Sequence, residues 1–332
     1  MVKTMGMNNI AASDPEDIHF LLLPEFSVMG FVSALEPLRV ANRFRGKLYR
    51  WHILSTDGGP VTASNGMSLN AEGAFEALEN AKTLFIVSGF NPLDCYTPVL
   101  EAWLRKLGRA GTTLGAIDTG CFTLAEAGLF QHQKLTLHWE AISAFLERYP
   151  ALSQSVTQEL FEIDGKRITC AGGTASIDMM LALIGRQHGS ELATAVSEQF
   201  VLGRIRNQSD HQRMQIGVRY GVHSKKTIQV ISMIEQHMEE PLSTDELATV
   251  IGVTRRQLER LFCAHLKDTP SHFYLCLRLD RARQLLQQTE MSIIEISVAC
   301  GFESPSYFSR AYRTRFNSSP KHDRTGGTNL SH

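Results

Sequence analysis

Residues 243–262 read STDELATVIGVTRRQLERLF, and this stretch decides the fold of the C-terminal half. Ser243 and Glu246 are spaced as a capping box, in which the serine hydroxyl accepts from the Glu246 amide and the carboxylate accepts from the Ser243 N–H. Leu247, Ala248 and Ile251 supply an apolar stripe that stops at Gly252, the residue type a sharp turn requires. Thr254, with Gln257 in the box position, opens a second helix at once. Its buried side is Leu258, Leu261 and Phe262, which leaves Arg256, Glu259 and Arg260 on the outer surface. Two short helices around a glycine turn make a helix-turn-helix candidate. Taken alone, the same corner also occurs in small helical bundles.

The pattern recurs at residues 292–316, SIIEISVACGFESPSYFSRAYRTRF. Ser292 and Glu295 form the box, Ile296, Ala299 and Cys300 continue the stripe, and Gly301 makes the turn. Ser304-Pro305 then opens a helix with a cap and a proline at its first position. Phe308, Ala311, Tyr312 and Phe316 are its buried face, and Ser306, Ser309, Arg310 and Arg313 lie outside it. Between the two units, residues 271–288 have helical period, with Leu275, Leu279, Ala282 and Leu286 on the apolar side. A continuous helix is a stiff spacer. Paired reading helices enter successive major-groove segments about 34 Å apart, and here both lie on one chain.

Residues 243–324 resemble the DNA-binding domain of the AraC/XylS family of bacterial regulators, with DRARQLLQQTEMSIIEISVACGFESPSYFSRAYRTRF following the family signature nearly throughout. The resemblance implies double-stranded DNA as a partner. It makes Arg256, Glu259 and Arg260 base-edge candidates in the first reader and Ser306, Ser309 and Arg310 in the second, with Arg313 beside them. One departure is visible: NSSPKHDR carries His322-Asp323 where the family has Ser-Pro-x-x-Tyr-Arg, which predicts a differently packed last turn.

Composition agrees with a folded chain. The 332 residues are 43% hydrophobic and 20% charged, which excludes global disorder and fibrous repeats and predicts two domains. The net charge of −1 by itself argues against nucleic acid. Its distribution argues the other way: residues 254–267 carry Arg255, Arg256, Arg260 and Lys267 against Glu259, and residues 304–324 carry Arg310, Arg313, Arg315, Lys321 and Arg324 against Asp323. Basic residues concentrate on the reading elements, as phosphate neutralisation requires. Arg255 and Arg315 are expected to be merely solvated. No secretory signal or membrane-spanning run is visible. The cysteines, Cys95, Cys121, Cys170, Cys263, Cys276 and Cys300, have neither metal nor disulfide spacing, so the expectation is a cytoplasmic protein that contacts no membrane and holds no metal or cofactor.

From residue 18 to about 170, the β-rich runs IHFLLL, YRWHILS, TLFIVS, TTLGAI and LTLHW alternate with helical patterns at residues 31–44, 102–107 and 140–149. Alternation of this kind predicts a mostly parallel sheet with helices on both faces. Residues 174–184 and 191–202 read as helices that close the domain. Residues 203–226, basic and polar, read as a solvated connector whose arginines are alternatively available to phosphate.

The informative stretch here is TTLGAIDTGCFTLAEAGLFQHQKLTLHW, residues 112–139, where a strand runs into Asp118-Thr119-Gly120 and then a helix. That is the sharp elbow which presents a nucleophile in α/β hydrolytic folds. Together with SNG at residues 64–66 and CAGGTASIDMMLALI at 170–184, it resembles the class I glutamine-amidotransferase-like (PfpI-like) domain fused to AraC-type regulators. The fold so implied is a flavodoxin-like, doubly wound parallel α/β sheet followed by an all-α domain with two helix-turn-helix units. The expected division is a flexible N-terminus at 1–16, a ligand-sensing and dimerisation domain at 17–205, a linker at 206–225, the DNA-binding domain at 226–324 and a flexible tail at 325–332.

Catalytic relatives carry a cysteine at the elbow, assisted by a histidine and an acidic residue. Here the elbow is Asp118, His138 fits the histidine slot twenty residues on, and the acidic slot falls on Gly30, with Glu25 and Glu36 nearby. Cys121, three residues past the elbow, is expected to face into its helix. No catalytic residue is therefore assigned. A pocket remains, with Asp118, Thr119, Gly120, His138, Trp139 and Phe90 as effector-binding candidates and Phe122 near its rim. The helix N-terminus after Asp118 is expected to hold a carboxylate, and Asp118 an amine. The plain readings stand beside these: Asp118 as a helix cap, His138 as a core residue and Trp139 as packing.

The resemblance points to regulators of arginine, glycine betaine and carnitine catabolism. It implies an activator that acts with RNA polymerase, works as a homodimer and responds to a small-molecule effector such as an amino acid or betaine. Two rivals stay open: an amidase- or hydratase-like enzyme joined to a DNA-binding module, and a regulator that takes no ligand.

Overall fold

Parallel strands covered on both faces must be apolar throughout rather than alternating, and the runs FLLL and LFIV meet that requirement: Phe20, Leu21, Leu22, Leu84, Phe85, Ile86 and Val87 are all fully buried. The computed structural model describes residues 14–326. Residues 1–13 and 327–332, most of the two segments expected to be flexible, lie outside the described residues.

In chain order the first half contains β1 (Glu16–Leu22), α1 (Val28–Arg45), β2 (Tyr49–Ser55), β3 (Val61–Thr62), β4 (Ser68–Leu69), β5 (Gly73–Ala74), β6 (Thr83–Val87), α2 (Pro98–Arg109), β7 (Thr113–Ile117), α3 (Cys121–Glu126), α4 (Ile142–Arg148), β8 (Phe161–Asp164), β9 (Arg167–Cys170), α5 (Ala175–His188) and α6 (Ser190–Gln199). The sheet order is β5-β2-β1-β6-β7-β9-β8, parallel except for β8 against β9, and β3 pairs with β4 in a separate hairpin. Without β5 and the antiparallel β8, this is the flavodoxin-like order, with its topological switch between β1 and β6. Phe20, Leu22, Phe85 and Val87 share one core cluster with α1, α5 and α6. By the alternation of the pleat, Leu21, Leu84, Ile86 and Leu114 face the other side, where Leu114 meets Gly108 of α2.

One expected strand is absent. LTLHW at residues 135–139 forms only an isolated bridge, between Leu135 and Val156, and the strand that joins β7 is β9. Leu135, Thr136 and Leu137 are buried, but both edges of β9 are already taken by β7 and β8. The apolar alternation of this segment therefore reports burial and not membership of a ladder.

The described residues divide into two units. The α/β unit runs to Trp139 and resumes over Ala151–Gln212, while Glu140–Pro150 groups with the helices that follow Arg213. The basic stretch after residue 203 is not a solvated connector over its first part. Arg206 pairs with the buried carboxylate of Asp178 at 2.6 Å, Arg204 pairs with Asp210 at 2.9 Å, and the Leu160 amide donates to the Gln208 carbonyl at 3.0 Å.

The helical unit contains α4, α7 (Ile216–Arg219), α8 (Lys225–Gln236), α9 (Thr244–Val250), α10 (Arg255–Leu266), α11 (Pro270–Gln288), α12 (Ile293–Ala299), α13 (Pro305–Phe316) and α14 (Pro320–Gly326). Val230, Ile231 and Ile234 of α8 pack with Leu247, Ala248, Leu258, Phe262 and Tyr274 around the first turn. A chain of rings, Phe302, Phe308, Tyr312 and Phe316, fills the second. The apolar side of α11 is broader than its period indicates: Tyr274 and Leu285 are buried with Leu279, Ala282 and Leu286, while Leu275 is half-buried. α4 also packs against α11. No helix among the described residues is long and apolar enough to cross a membrane.

Candidate nucleic-acid interface and sensor site

Each helix-turn-helix is built from the local signals in its sequence. The boxes at Ser243/Glu246, Thr254/Gln257 and Ser292/Glu295 are all closed in both directions. Gly301 turns with φ of 70°, and a Cβ there would come within 2.5 Å of Pro241, so both conformation and space require glycine.

On α10, Arg256 and Arg260 are exposed one turn apart. Glu259 is only half-exposed and holds Arg255 at 3.0 Å, and Arg255 also reaches Asp245 at 3.4 Å. On α13, Ser306, Arg310 and Arg313 are exposed and Ser309 is half-buried. Arg315 is bidentate to Asp280, at 2.7 and 2.9 Å. The two arginines expected to be solvated are thus the ion-paired ones. The guanidinium groups of Arg256, Arg260, Arg310 and Arg313 have no partner among the described residues. Tyr307, 46% exposed at the start of α13, joins this surface. The apolar periodicity conceals it, because a tyrosine reads as core.

Both helix-turn-helix units are braced from α11, the first where the Phe273 ring meets the Phe262 ring of α10 at 5.8 Å. Arg278 donates to the carbonyls of Cys300 and Gly301, at 2.7 and 2.5 Å, and lies 4.1 Å from the Phe302 ring centroid. The family departure at Asp323 has a structural role: its carboxylate accepts from the Tyr312 hydroxyl at 2.8 Å and pairs with Arg283 at 3.3 Å. That ties α14 to both α13 and α11.

In the α/β unit the elbow forms as its sequence indicates. Asp118 follows β7 with φ of 64°, a conformation rare outside glycine and concentrated at functional sites. Its amide donates to the Cys170 carbonyl at 3.0 Å, and its carbonyl accepts from the His138 amide at 3.4 Å. A Cβ on Gly172 would lie 2.7 Å from Asp118 Oδ2, so glycine there makes room for the carboxylate. Thr119 is buried and donates to the Gly89 carbonyl at 2.5 Å. Phe90, the next residue, is 56% exposed. The half-buried rings of His138 and Trp139 are 5.6 Å apart. Asp118, Thr119, Gly120, His138 and Trp139 are thus joined by direct bonds or chain adjacency. Phe90 is linked to them through Gly89.

One sequence expectation changes here. α3 has only six residues, and two amides at its start are taken within the chain, Gly120 N–H by the Ile117 carbonyl and Phe122 N–H by the Thr119 carbonyl. Phe122 is buried, not at a rim. The acidic slot holds Gly30, where a Cβ would lie 3.1 Å from Ile117 Cγ2, and Glu36 is occupied on α1 by Arg39 at 2.6 Å. Glu25 is the acidic group that approaches the site. It has φ of 59°, its backbone carbonyl packs on Gly89, and its carboxylate accepts from Asn91 Nδ2 at 3.0 Å. No spacing rule in the sequence singles out Asn91. Cys121 is fully buried, as its position three residues past the elbow predicts, and its thiol donates to the Thr136 carbonyl at 3.2 Å. Burial, with Cys170 and Asp118 nearby, pushes that thiol well above its ordinary pKa, the opposite of what a thiolate nucleophile needs.

Residues 17–186 match the DJ-1/PfpI family and residues 247–326 match a helix-turn-helix domain family. The chain is 67% identical over 309 residues to the HTH-type transcriptional regulator CdhR of Pseudomonas aeruginosa, covering 93% of this chain and 91% of that one. It is 44% identical over 314 residues to the regulator GbdR of the same species, covering 94% and 85%. A crystal structure of an AraC family transcriptional regulator from Pseudomonas putida superimposes with a TM-score of 0.51 at 29% identity, over 56% of this chain and 100% of that one. With a flavodoxin-like elbow domain in front of two braced helix-turn-helix units, the chain belongs to the AraC-type transcriptional regulators that carry an N-terminal DJ-1/PfpI domain.

Proposed function

We propose that this regulator activates a catabolic operon in the cytoplasm, as a homodimer acting with RNA polymerase, when a small amino acid or quaternary amine occupies the elbow of its α/β unit. The observation that carries the DNA-reading part is the separation of arginines. Arg256, Arg260, Arg310 and Arg313 are exposed and unpartnered, whereas Arg255 and Arg315 are held by carboxylates. Arginine bidentate to guanine is the commonest specific base contact, and an unpartnered guanidinium on a helix with a fixed brace is ready for that contact without first breaking an ion pair. Ser306 and Ser309 supply shorter polar contacts beside Arg310. Glu259 reads a base only by giving up Arg255.

For the effector, Asp118 supplies negative charge at a strained position, and Trp139, His138 and Phe90 supply aromatic surface to which a cationic head group is attracted. Thr119 and Gly120 shape the turn that presents the carboxylate. We read the domain as a sensor and not an enzyme, because the elbow holds a carboxylate and the nearby thiol is buried and protonated. Calorimetric titration of the full-length protein with glycine betaine, L-carnitine and L-arginine tests this reading: saturable binding of one of them, weakened by Asp118→Asn, is the expected result. Binding unaffected by that substitution, or no binding, removes the elbow as the effector site.

A further inference from the structure

The chain passes between the two units at three points: after Trp139, before Ala151 and after Gln212. The first follows directly on His138-Trp139. The last is fastened to the same place. Gln212 Nε2 lies 3.0 Å from the Leu137 carbonyl, 3.0 Å from the Glu159 carbonyl and 2.9 Å from Thr136 Oγ1. Thr136 Oγ1 directs its own hydrogen to the Glu159 carbonyl at 2.8 Å, so all three neighbours present acceptors and only the NH2 end of the amide fits there. The other end, Oε1, is buried with no hydrogen-bond partner among the described residues.

Leu137 is the residue before His138, whose amide is bonded to the Asp118 carbonyl. The Thr136 carbonyl takes the Cys121 thiol of α3. Elbow, histidine and outgoing chain therefore share one short strip of backbone at residues 136–138. Of the residues further back, His211 bridges the same Glu159, whereas Gln208 Nε2 donates to Glu162 at 2.6 Å and Arg206 pairs with Asp178. Gln212 is the last tie before the chain leaves the unit. An amide held by its donor end, with its acceptor end unsatisfied, is a tie that a small movement of its partners undoes.

We infer that Gln212 is a positioning residue, a clasp through which occupation of the Asp118–His138 site alters the setting of the DNA-binding unit; this rests on the effector reading above. A ligand that contacts His138, Trp139 and Asp118 acts on the strip that carries two of the clasp's acceptors. It also acts on the residue from which the chain departs toward α4. Coupling requires the ligand to bind the clasped and released states with different affinity.

The test uses the full-length protein, with operator DNA selected from random duplexes on that protein and glycine betaine, L-carnitine and L-arginine as probes. In the wild type, the probe that binds is expected to change DNA affinity about fivefold or more, the low end of ordinary allosteric coupling. In Gln212→Ala the probe still binds with a dissociation constant within about threefold of wild type, but its effect on DNA affinity falls below about twofold. DNA affinity without any probe also moves, about fivefold or more, from the ligand-free wild-type value. Gln208→Ala, which loosens the strap away from the site, keeps wild-type values in both measurements, and an unchanged melting temperature excludes misfolding. Full probe-linked coupling in Gln212→Ala overturns the clasp. Loss of probe binding itself overturns it too, since Gln212 is then part of the site. If no probe binds the wild type, the effector reading fails, and the clasp is judged by basal DNA affinity alone: a shift in Gln212→Ala but not Gln208→Ala supports it, and no shift overturns it.

Discussion

Arg310→Ala is the most informative single change, because the structure separates its effect on stability from its effect on recognition. The Arg310 side chain is exposed on α13 and has no partner among the described residues; apart from the helix bonds of its backbone, its carbonyl accepts from the Thr314 hydroxyl at 3.0 Å. Truncation therefore breaks no ion pair, and alanine is the best helix former, so stability is expected to move by no more than about 0.5 kcal/mol. A bidentate contact to guanine is worth about 1–3 kcal/mol of discrimination. At about 1.4 kcal/mol per tenfold, that is a roughly 5- to 150-fold loss of operator affinity. Arg315→Ala is the internal control. It breaks a half-exposed pair with Asp280 worth less than about 1 kcal/mol, and operator affinity should fall much less than in Arg310→Ala. Gel-shift titrations on operator and scrambled DNA, at several salt concentrations, read both effects. Equal losses on the two DNAs, with the salt slope reduced by about 0.9, make Arg310 a phosphate contact and refute base reading. Unchanged operator affinity refutes the placement of α13 in the groove.

Asp323→Ala should destabilise the helical unit by about 1–3 kcal/mol, since it leaves the buried Tyr312 hydroxyl without its acceptor and Arg283 without its partner; a thermal melt of full-length protein that shows no change would remove the staple assigned to the last turn. Alkylation of the native protein followed by mass spectrometry should label exposed Cys263 and spare the buried Cys121, Cys170 and Cys300; rapid labelling of Cys121, or hydrolytic turnover lost in Cys121→Ser, would reinstate the enzyme reading. Arg50, with His52, holds the Asp17 carboxyl down from 3.8 to about 2, so its contribution to stability is present above about pH 4 and is lost as pH falls through about 2. Because that pair is well exposed, the contribution is below about 1 kcal/mol, and Asp17→Asn should raise the acid-unfolding midpoint only slightly; a large shift would mean the carboxylate holds more than Arg50 and His52.

The helix-turn-helix units were legible in the sequence because their determinants are local. A capping box spans three residues, a turn glycine acts on its own φ, and apolar periodicity sets the buried face within two turns of helix. Ser243, Thr254 and Ser292 cap where their spacing places them, and Arg256, Arg260, Arg310 and Arg313 point outward because Leu258, Phe262, Phe308 and Tyr312 point inward. The Asp118 elbow was legible for the same reason. Tertiary structure alone decided what depends on partners distant in the chain. LTLHW has a strand's pattern, but the place beside β7 is taken by β9, which β8 flanks on its other side. Arg255 and Arg315 read as merely solvated arginines, and only the fold shows that Asp245, Glu259 and Asp280 pair with them. Asp323 looks like a departure until it meets Tyr312 and Arg283. Gln212, in a stretch whose composition reads as a connector, is fixed by carbonyls 53 and 75 residues away, and periodicity carries no information over such separations.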